Sequence, residues 1–459
     1  MMQLSQIAHA VNGELSGADV MLRNISINTR DECQGRLFVA LKGENFDAHE
    51  FVSQAEQAGA GALLVERAVV TDLPVVMVKS THQALANLAT WWRSQFALPV
   101  IGVTGSVGKT TVKEMLACVF AELGQGVVTK GNLNNEIGVP LTLMGLEADD
   151  LYAVIEMGMN HAGEIARLSA MARPTIALVN NAAAAHLEGL GSIEEVAKAK
   201  GEIYQGLAID GTAIINNDDE FASIWHELAQ DHSIMTFGLS TDADVTADYE
   251  ESRRGLLIKV KANGKKLKIK LNSAGEHSVR NALAAVAVSL AAKIPIKTIE
   301  AGLANFRPVS GRLNIEILAD VELIDDTYNA NPASMRAAID VLVRSDDNLL
   351  VIGDMAELGA AAEAEHRLLG VQAKKRGVKA LYVCGEYADL VAASFGSGAV
   401  AFSSQAALIE RISSDQLSGT ILVKGSRSAK MERVVDALHR QLLSDRACQT
   451  PAIANKGGH

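Results

Sequence analysis

An apolar segment that runs into a glycine-rich turn constrains the fold of this chain more than any other feature. Residues 98–104 are rich in β-branched side chains and predict a buried strand. Thr-Gly-Ser-Val-Gly-Lys-Thr-Thr follows at positions 104–111, and a helix is expected from Lys109. Glycines let the backbone turn tightly and aim N–H groups at phosphate oxygens, at a helix N-terminus whose dipole favours anions. The segment therefore predicts a phosphate-binding loop in an α/β fold.

The side chains of this loop predict a nucleotide and metal site. Lys109 would neutralise the outer phosphates, and the hydroxyl of Thr110 would bind Mg²⁺. The spacing departs from the common G-x-x-x-x-G-K-[ST] pattern, because Val103 stands where its first glycine would fall. An ordinary glycine-rich turn between a strand and a helix is the alternative. The expected nucleotide-binding residues are Gly105, Ser106, Val107, Gly108, Lys109, Thr110 and Thr111.

Apolar runs divide the 459 residues into three blocks. The first block, to about residue 80, mixes short apolar runs with polar turns and predicts a small α/β unit. The second block alternates predicted strands and helices, which favours a parallel sheet. Its predicted strands are 98–104, 152–157, 175–180 and 212–216. Residues 256–271 alternate apolar and polar side chains around Asn263-Gly264, which predicts a hairpin at the edge of this sheet.

The third block begins near Arg312 and predicts a second domain of the nucleotide-binding type, with helices between its strands. The predicted strands are 321–324, 349–352, 380–383 and 420–423. Residues 450–459 are expected to form a frayed tail.

Composition and charge narrow the class of protein. The net charge of −12 argues against a general nucleic-acid surface, which needs clustered lysine and arginine. The cysteines lack the paired spacing of a disulfide framework or a zinc site; they are Cys33, Cys118, Cys384 and Cys448. The N-terminus is too polar for a signal peptide, and no run of 18 apolar residues occurs. We therefore expect a cytoplasmic protein without membrane insertion or a nucleic-acid partner.

Two further polar residues follow predicted strands of the second block. Glu156 ends the strand at 152–157, where a parallel sheet delivers side chains to a ligand at its carboxyl edge. His186 follows the strand at 175–180 and would face the same edge, as a second metal ligand or a substrate contact. A solvated loop glutamate and a structural histidine are the alternatives.

A lysine in the middle of an apolar helical stripe is the least expected feature of the second block. Ser192 and Glu195 form a capping box that predicts the start of a helix. Lys200 falls in the centre of the stripe, whereas Lys198 points to nearly the opposite side. The stripe consists of Ile193, Val196, Ala197, Ile203 and Tyr204. A buried lysine is costly unless it is paired or chemically altered, and the alternative is that Lys200 reaches out to solvent from the edge of the stripe.

Several segments together resemble the Mur ligase family. They are the phosphate loop at 104–111, G-N-L-N-N-E-I-G-V-P at 131–140, E-M-G-M-N-H-A-G-E-I at 156–165 and A-A-A-H-L-E at 183–188. Further segments resemble the branch of the family that adds a D-alanyl-D-alanine dipeptide. They are D-D-T-Y-N-A-N-P-A-S-M at 325–335, G-D-M-A-E-L-G at 353–359 and K-G-S-R-S at 424–428. The D-N-P-R motif of the diaminopimelate-adding branch is absent, which supports the dipeptide-adding branch.

The resemblance implies an α/β protein of three domains. These are a small N-terminal α/β domain at 1–82 that binds a UDP-linked substrate, a central P-loop parallel-sheet ATPase domain at 83–311, and a C-terminal Rossmann-like domain at 312–459 that binds the dipeptide and closes on ATP. The implied activity is ATP-dependent addition of D-alanyl-D-alanine to UDP-N-acetylmuramoyl-tripeptide through an acyl phosphate, for peptidoglycan synthesis. It implies ATP and Mg²⁺ as cofactors, and we expect a monomer.

The resemblance also implies roles for individual residues. Those expected to contact the UDP-linked substrate are Thr29, Arg30, Asp47, His49, Asn134 and Asn135. Glu156 and His186 match positions of the magnesium site, and Lys200 matches a lysine that is carbamylated in related members. These three residues and Thr110 are the expected metal ligands. The same three residues and Lys109 are the expected catalytic residues. Asn281 matches an adenine contact, and Arg312 and Asp326 match residues that close on ATP. Ser278 departs from the family pattern, which usually has asparagine there.

Another ligase of the Mur type or of the folylpolyglutamate type, and an enzyme of a different class, remain as alternatives. A folylpolyglutamate-type ligase would share the central and C-terminal domains, but about 100 residues precede the phosphate loop here, enough for a separate substrate domain. A P-loop kinase or ATPase would lack the third domain that binds an amine. A requirement for both an acceptor peptide and an amine in ATP turnover would distinguish them.

Overall fold

Three larger sheets follow one another along the described part of the chain, and helices pack against them; Met2–Gln3 and Met21–Leu22 form a further two-stranded sheet. The structure, a computed structural model, describes residues 1–252, 255–318 and 320–449. Strands and helices alternate through this part of the chain and most strand pairs are parallel, which confirms the predicted α/β class. The segment 450–459, predicted to be frayed, lies outside the described residues. No helix within the described ranges is both long and apolar enough to cross a membrane.

The first block forms a small mixed sheet. Its elements are β1 (Met2–Gln3), α1 (Leu4–Ala10), β2 (Glu14–Ser16), β3 (Met21–Leu22), β4 (Ile25–Ser26), β5 (Leu37–Val39), α2 (Val52–Gln57), β6 (Ala62–Val65), β7 (Val75–Met77) and α3 (Thr81–Arg93). The main sheet has the order β2-β7-β6-β5-β4, in which only β2 is antiparallel to its neighbour. The predicted domain boundary at 82/83 falls inside α3 and stays a prediction.

The second block builds a larger sheet. Its elements are β8 (Val100–Thr104), α4 (Lys109–Ala121), β9 (Val127–Val128), α5 (Gly138–Leu143), β10 (Ala153–Glu156), α6 (Glu164–Ala172), β11 (Ile176–Val179), α7 (Leu187–Leu190), α8 (Ile193–Gly201), β12 (Thr212–Asn216), α9 (Ala222–Leu228), β13 (Ser233–Phe237), β14 (Val245–Ser252), β15 (Gly255–Ala262), β16 (Lys265–Leu271), α10 (Glu276–Ala291) and α11 (Ile296–Asn305). The strand order is β16-β15-β14-β13-β12-β11-β8-β10-β9.

The hairpin predicted in the second block is confirmed. Strands β15 and β16 pair antiparallel on either side of Asn263 and Gly264, which both have positive φ (47° and 76°) as such tight turns require. Strand β16 is the outer strand of the sheet, and exposed lysines alternate along it with buried apolar residues. The exposed side chains are Lys266, Lys268 and Lys270, and the buried ones are Leu267, Ile269 and Leu271.

The third block forms a separate sheet. Its elements are β17 (Asn314–Leu318), β18 (Val321–Asp326), α12 (Pro332–Leu342), β19 (Asn348–Ile352), α13 (Ala362–Arg376), β20 (Ala380–Cys384), α14 (Ala388–Phe395), β21 (Ala399–Phe402), α15 (Gln405–Ser414), β22 (Gly419–Lys424) and α16 (Glu432–Gln449). The order is β17-β18-β22-β19-β20-β21, and only β17 is antiparallel to its neighbour. The boundary predicted at 311/312 lies between α11 and β17 and stays a prediction.

The position of β8 explains where the site forms. All five of its residues are buried, because helices cover both faces of the sheet and β10 and β11 flank it in parallel register. The carboxyl ends of these three strands therefore meet at one edge. The phosphate loop follows β8 directly, so the side chains after β10 and β11 come close to it.

Candidate active site

The phosphate loop bends at a glycine that no other residue could replace without strain. Gly108 is the N-cap of α4 and has φ 82°, a left-handed conformation. A Cβ atom there would lie 2.5 Å from Oδ1 of Asn281 and 2.7 Å from Nδ2 of Asn180. The N-terminus of the 13-residue helix α4 thus opens directly from this tight turn, an arrangement suited to binding phosphate.

Two asparagines after β11 hold the loop in place. Asn181 accepts a hydrogen bond at its Oδ1 from the backbone N–H of Val107 (2.9 Å), and Asn180 donates through Nδ2 to the Val107 carbonyl (2.9 Å). Sequence reasoning gave neither residue a role. The available signal was an Asn-Asn pair placed directly after a buried strand.

Glu156 lies at the end of β10 and contacts the start of α4. Its Oε2 accepts a hydrogen bond from the hydroxyl of Thr110 (2.9 Å), and its Oε1 accepts one from Nδ2 of Asn134 (2.8 Å). The residue is only 2% exposed. The structure therefore rules out the alternative of a solvated loop glutamate and places a buried carboxylate beside the phosphate loop.

Lys109 points back over its own loop. Its Nζ donates a hydrogen bond to the carbonyl of Gly105 at 2.6 Å. Burial lowers the pKa of Lys109, while the carboxylates of Glu156 and Glu357 act in the opposite direction. The ammonium is thus held in a desolvated position among carboxylates, where an anionic ligand would be a strong partner.

His186 joins the second block to the third. It precedes α7 with φ 57°, and its Nδ1 lies 2.7 Å from Oε2 of Glu357, in the loop after β19. Sequence reasoning gave Glu357 no role, and no periodicity or spacing in the sequence indicates this contact.

The predicted burial of Lys200 is confirmed. The residue lies on α8 and is 1% exposed, so the alternative in which it reaches solvent is wrong. Among the described residues, none forms a hydrogen bond or an ion pair with its Nζ. Burial lowers the pKa of Lys200 well below its usual value, and the charge of Lys109 lowers it further. Lys198, in contrast, is exposed and forms ion pairs with Glu194 and Glu195.

The start of α8 follows the predicted cap in part. The side chain of Ser192 accepts a hydrogen bond from the backbone N–H of Glu195, as predicted. The side chain of Glu195 bonds to Lys198 rather than back to the cap, because the two are neighbours on the exposed face of the helix.

The third block contributes cations to the same region. The guanidinium of Arg312 lies 4.0 Å from the ring centre of Tyr328, and its buried Nε has no hydrogen-bond partner among the described residues. Asp326, at the end of β18, pairs with Lys424, at the end of the neighbouring β22, at 2.5 Å. Burial raises the pKa of Asp326, while Lys424 opposes that shift.

A cavity of about 660 Å³ lies between the second and third blocks. Most of the residues predicted to bind nucleotide or metal or to act in catalysis line it, together with Asn134, which was predicted to contact the substrate. They are Ser106, Val107, Gly108, Lys109, Thr110, Thr111, Asn134, Glu156, His186, Asn281, Arg312 and Asp326. Gly105, Asn135 and Lys200 do not line it. Asn135 accepts hydrogen bonds from the backbone N–H groups of Ile137 and Gly138 at the start of α5, so its contact with substrate stays a prediction.

The other residues predicted to contact the UDP-linked substrate lie in the first block and do not line this cavity. Asp47 and His49 pair with each other, Oδ1 to Nδ1 at 2.5 Å, and Nε2 of His49 accepts a hydrogen bond from the backbone N–H of Glu66. The backbone N–H of His49 lowers the pKa of Asp47. Thr29 is half-buried and Arg30 is exposed. Their role in binding UDP stays a prediction.

Ser278 shows how the chain accommodates its departure from the family pattern. Its hydroxyl donates to the carbonyl of Ala274 (2.7 Å) and lies 2.8 Å from the hydroxyl of Ser273. The loop before α10 therefore keeps its polar groups paired without an asparagine.

The donor set near the phosphate loop fits magnesium rather than a transition metal. In the described part of the chain, no group of three or more His, Cys, Asp or Glu side chains is arranged to hold a metal ion by itself. The hydroxyl of Thr110 and the carboxylate of Glu156, 2.9 Å apart, are hard oxygen donors. Mg²⁺ takes few protein ligands and completes its coordination with phosphate oxygens and water, so such a partial set is sufficient.

Models of known protein families match segments in all three blocks of the chain. Residues 22–92 match the model of the Mur ligase family catalytic domain, 103–289 that of the Mur ligase middle domain, and 311–427 that of the Mur ligase glutamate ligase domain. The chain is 45% identical over 442 residues to UDP-N-acetylmuramoyl-tripeptide–D-alanyl-D-alanine ligase of Escherichia coli K12, which covers 95% of this chain and 98% of that protein.

Solved structures agree with the sequence comparison. The crystal structure of MurF from Acinetobacter baumannii is 36% identical, with a TM-score of 0.90 over 95% of this chain and 98% of that one. MurF ligase from Thermotoga maritima in complex with ADP is 27% identical, with a TM-score of 0.81 over 92% and 98% of the two chains. With motifs, matched regions and fold in agreement over nearly its whole length, this chain belongs to the Mur ligase family.

Proposed function

We propose that this protein is an ATP-dependent ligase that joins D-alanyl-D-alanine to UDP-N-acetylmuramoyl-tripeptide and so forms the pentapeptide precursor of peptidoglycan. The observation that carries the proposal is the buried carboxylate of Glu156 against Thr110, at the mouth of a phosphate loop and in a cavity that the third block completes. The relative from Escherichia coli, 45% identical over 95% of this chain, bears the name of this activity. A folylpolyglutamate-type ligase or a plain kinase is not favoured by these comparisons.

The first step activates the tripeptide carboxylate. An oxygen of that carboxylate attacks the γ-phosphorus of ATP, the bond to the β,γ-bridging oxygen breaks, and ADP leaves with the electron pair. Lys109 neutralises negative charge on the phosphoryl group during the transfer. The backbone N–H groups at the start of α4 bind the other phosphates of ATP. The product is an acyl phosphate, whose carbonyl carbon is a far better electrophile than that of a carboxylate.

The second step forms the amide. The free amine of D-alanyl-D-alanine attacks the acyl carbonyl, the tetrahedral intermediate expels inorganic phosphate, and the attacking nitrogen loses a proton. The oxyanion of this intermediate needs cationic stabilisation. Arg312, whose buried Nε has no hydrogen-bond partner in the described part of the chain, and Arg427 line the cavity from the third block and supply such charge.

The metal-binding residues would be Thr110, Glu156 and His186. When bound there, Mg²⁺ neutralises the negative charge that the phosphates of ATP bring into the cavity. Three asparagines position these groups through hydrogen bonds. Asn180 and Asn181 hold the phosphate loop, and Asn134 holds the carboxylate of Glu156.

We further propose that Lys200 carries a carbamate. Burial with no partner among the described residues, and the nearby charge of Lys109, both favour the neutral amine, whose nitrogen can attack the carbon of CO₂ and release one proton. The resulting group, –NH–COO⁻, is an anionic oxygen donor suited to Mg²⁺. The modification would turn an unfavourable buried cation into a carboxylate-like group.

The three matched regions suggest a division of labour along the chain. We propose that residues 1–82 bind the UDP part of the substrate, 83–311 bind ATP, and 312–459 bind the dipeptide and close on ATP. We also propose a monomeric cytoplasmic enzyme that binds no nucleic acid, in keeping with its net charge of −12.

A coupled assay tests the proposed activity. Phosphate release from ATP should require UDP-N-acetylmuramoyl-tripeptide and D-alanyl-D-alanine together, and mass spectrometry should detect the pentapeptide product. A reaction without the dipeptide distinguishes a ligase from a plain ATPase, because a plain ATPase would release phosphate at the same rate without it. Equal rates in the two reactions would overturn the ligase assignment.

A further inference from the structure

The pair formed by His186 and Glu357 bridges two blocks at the predicted metal site. Nδ1 of the histidine lies 2.7 Å from Oε2 of the glutamate. His186 follows the central strand β11, whereas Glu357 lies in the loop between β19 and α13 of the third block. Both side chains line the cavity that contains Thr110 and Glu156.

The backbone shows that this contact is built into both loops. His186 has φ 57° and Glu357 has φ 63°, left-handed values that cost free energy in any residue other than glycine. The loops are also packed together next to the pair, because a Cβ atom on Gly359 would lie 3.4 Å from Cβ of Glu188. Such conformations persist only where the surroundings fix them, so the two loops hold the pair in a defined geometry.

The carboxylate of Glu357 points toward His186 at the predicted metal site. Its side chain is half exposed, and its carboxylate reaches Nδ1 of His186 across the boundary between the two blocks. A carboxylate at Nδ1 keeps the proton of the neutral imidazole on that nitrogen. Nε2 is then the ring nitrogen that can bind a metal.

We propose that Glu357 is a positioning residue that orients His186 for metal binding, so that the third block completes the metal site of the central block. The proposal rests on the metal site of the proposed function. Carboxylates that accept a hydrogen bond from a metal-binding histidine fix its tautomer and ring orientation and raise its basicity. Because this carboxylate belongs to another block, contact between the blocks and metal affinity are linked: each strengthens the other.

The direct test is metal affinity, measured on the full chain. Free Mn²⁺ is followed by electron paramagnetic resonance in the presence of a non-hydrolysable ATP analogue. Glu357→Ala should weaken Mn²⁺ binding about 10–100-fold, the usual cost of removing such a partner. Glu357→Gln keeps an acceptor for Nδ1–H and should retain most of the affinity. Glu363→Gln removes an equal charge from an exposed position in the same block and should bind Mn²⁺ normally.

A double-mutant comparison separates positioning from direct binding. If Glu357 acts through His186, then Glu357→Ala should cause no further loss of affinity in a His186→Ala background. An equal loss in both backgrounds would mean that Glu357 binds the metal itself, and it would overturn the proposal. Wild-type affinity in Glu357→Ala, or equal losses in the Ala and Gln variants, would overturn it as well. Far-ultraviolet circular dichroism checks that each variant is folded.

These outcomes are independent of the ligase assignment. Mn²⁺ affinities report on the metal site whichever substrate the enzyme uses. The dependence of wild-type turnover on D-alanyl-D-alanine reports on the activity alone.

Discussion

The side chain of Asn180 donates a hydrogen bond to Oδ1 of Asn281 at 2.9 Å, across 101 residues of chain. The pair lies directly against Gly108 and joins the end of β11 to helix α10. The shape of the phosphate loop is therefore set from outside as well as by its own glycines. Asn281, expected to contact adenine, accepts its hydrogen bond from the same amide nitrogen that donates to the loop carbonyl of Val107.

Replacing Gly108 with alanine should abolish nucleotide binding. The new Cβ would enter the space between the two asparagines, at 2.5 and 2.7 Å, and the left-handed backbone would be strained as well. Gly264→Ala is the matched control, since its φ of 76° is similar but no atom lies within 4 Å of the added Cβ. Isothermal titration with ADP measures the effect. Similar ADP affinity in the two variants would contradict the close packing beneath the loop.

Removing the charge of Lys109 should stop phosphoryl transfer while leaving the fold intact. Its Nζ bonds only to the carbonyl of Gly105 among the described residues, so the loss to stability is small, but the developing charge on the phosphoryl group loses its main protein cation. Loss of one such group costs about 10²–10³ in rate. Single-turnover formation of acyl phosphate measures the step, with thermal melting as the check on folding. A Lys109→Ala enzyme of near-normal rate would refute the assignment of this loop.

Lys200 and Lys198 offer a comparison within one helix. Lys200→Ala should lose most ligase activity, and added formate or acetate should restore part of it by supplying the missing anionic oxygen donor. Lys198→Ala should leave ligase activity nearly unchanged, because the ammonium of Lys198 forms exposed ion pairs on the other side of α8. Turnover with and without the small acids is the measurement. The carbamate idea fails if both variants behave alike, or if mass spectrometry and crystallography at saturating bicarbonate find Lys200 unmodified.

Closure of the third block onto the second should depend on contacts across their boundary. Arg344, after α12, forms an ion pair with Glu251 of β14, which also accepts a hydrogen bond from the backbone N–H of Gly275 (2.9 Å). Small-angle scattering should show a smaller radius of gyration when an ATP analogue and the UDP-linked tripeptide are both bound. Arg344→Ala should reduce that compaction, because it removes this ion pair between the two blocks.

A control for this measurement lies in the same block. Arg367 pairs with Glu363 within α13, so Arg367→Ala removes an arginine without touching the boundary. It should compact like the wild type. Absence of compaction in the wild type would show that the ligands bind without closure.

The fold was largely predictable because its central strands are buried on both faces. Thr212–Asn216 was predicted with the bounds it has as β12, and β8 begins two residues later than the predicted start at 98. A parallel strand between two helical layers must be apolar along its whole length, so its sequence marks its limits. Helical periodicity put Lys200 in the centre of an apolar stripe but left its exposure open, and the structure shows that it is buried.

The contacts of the site were predictable only where they are local. Thr110 and Lys109 could be identified because a phosphate loop is a continuous segment. Asn180, Asn181 and Glu357 act through partners far away in the sequence, and no pattern near them records the partner. Glu357 in particular lies in an irregular loop whose conformation depends on the neighbouring block, so only the assembled structure reveals its contact with His186.

The lysine-bearing outer strand β16 has a consequence for the behaviour of the protein in concentrated solution. An open sheet edge offers unpaired N–H and C=O groups to any other strand, and edge-to-edge pairing between copies is a common route to aggregation. Here one edge N–H, that of Lys268, donates to the side chain of Glu300 at 2.8 Å instead. If two copies paired along this edge, exposed lysines of one copy would face those of the other; they are Lys266, Lys268 and Lys270. Like charges directly opposite each other are destabilising. Two copies of this edge would therefore repel each other, which opposes extension of the sheet from one molecule to the next even though the chain as a whole is acidic.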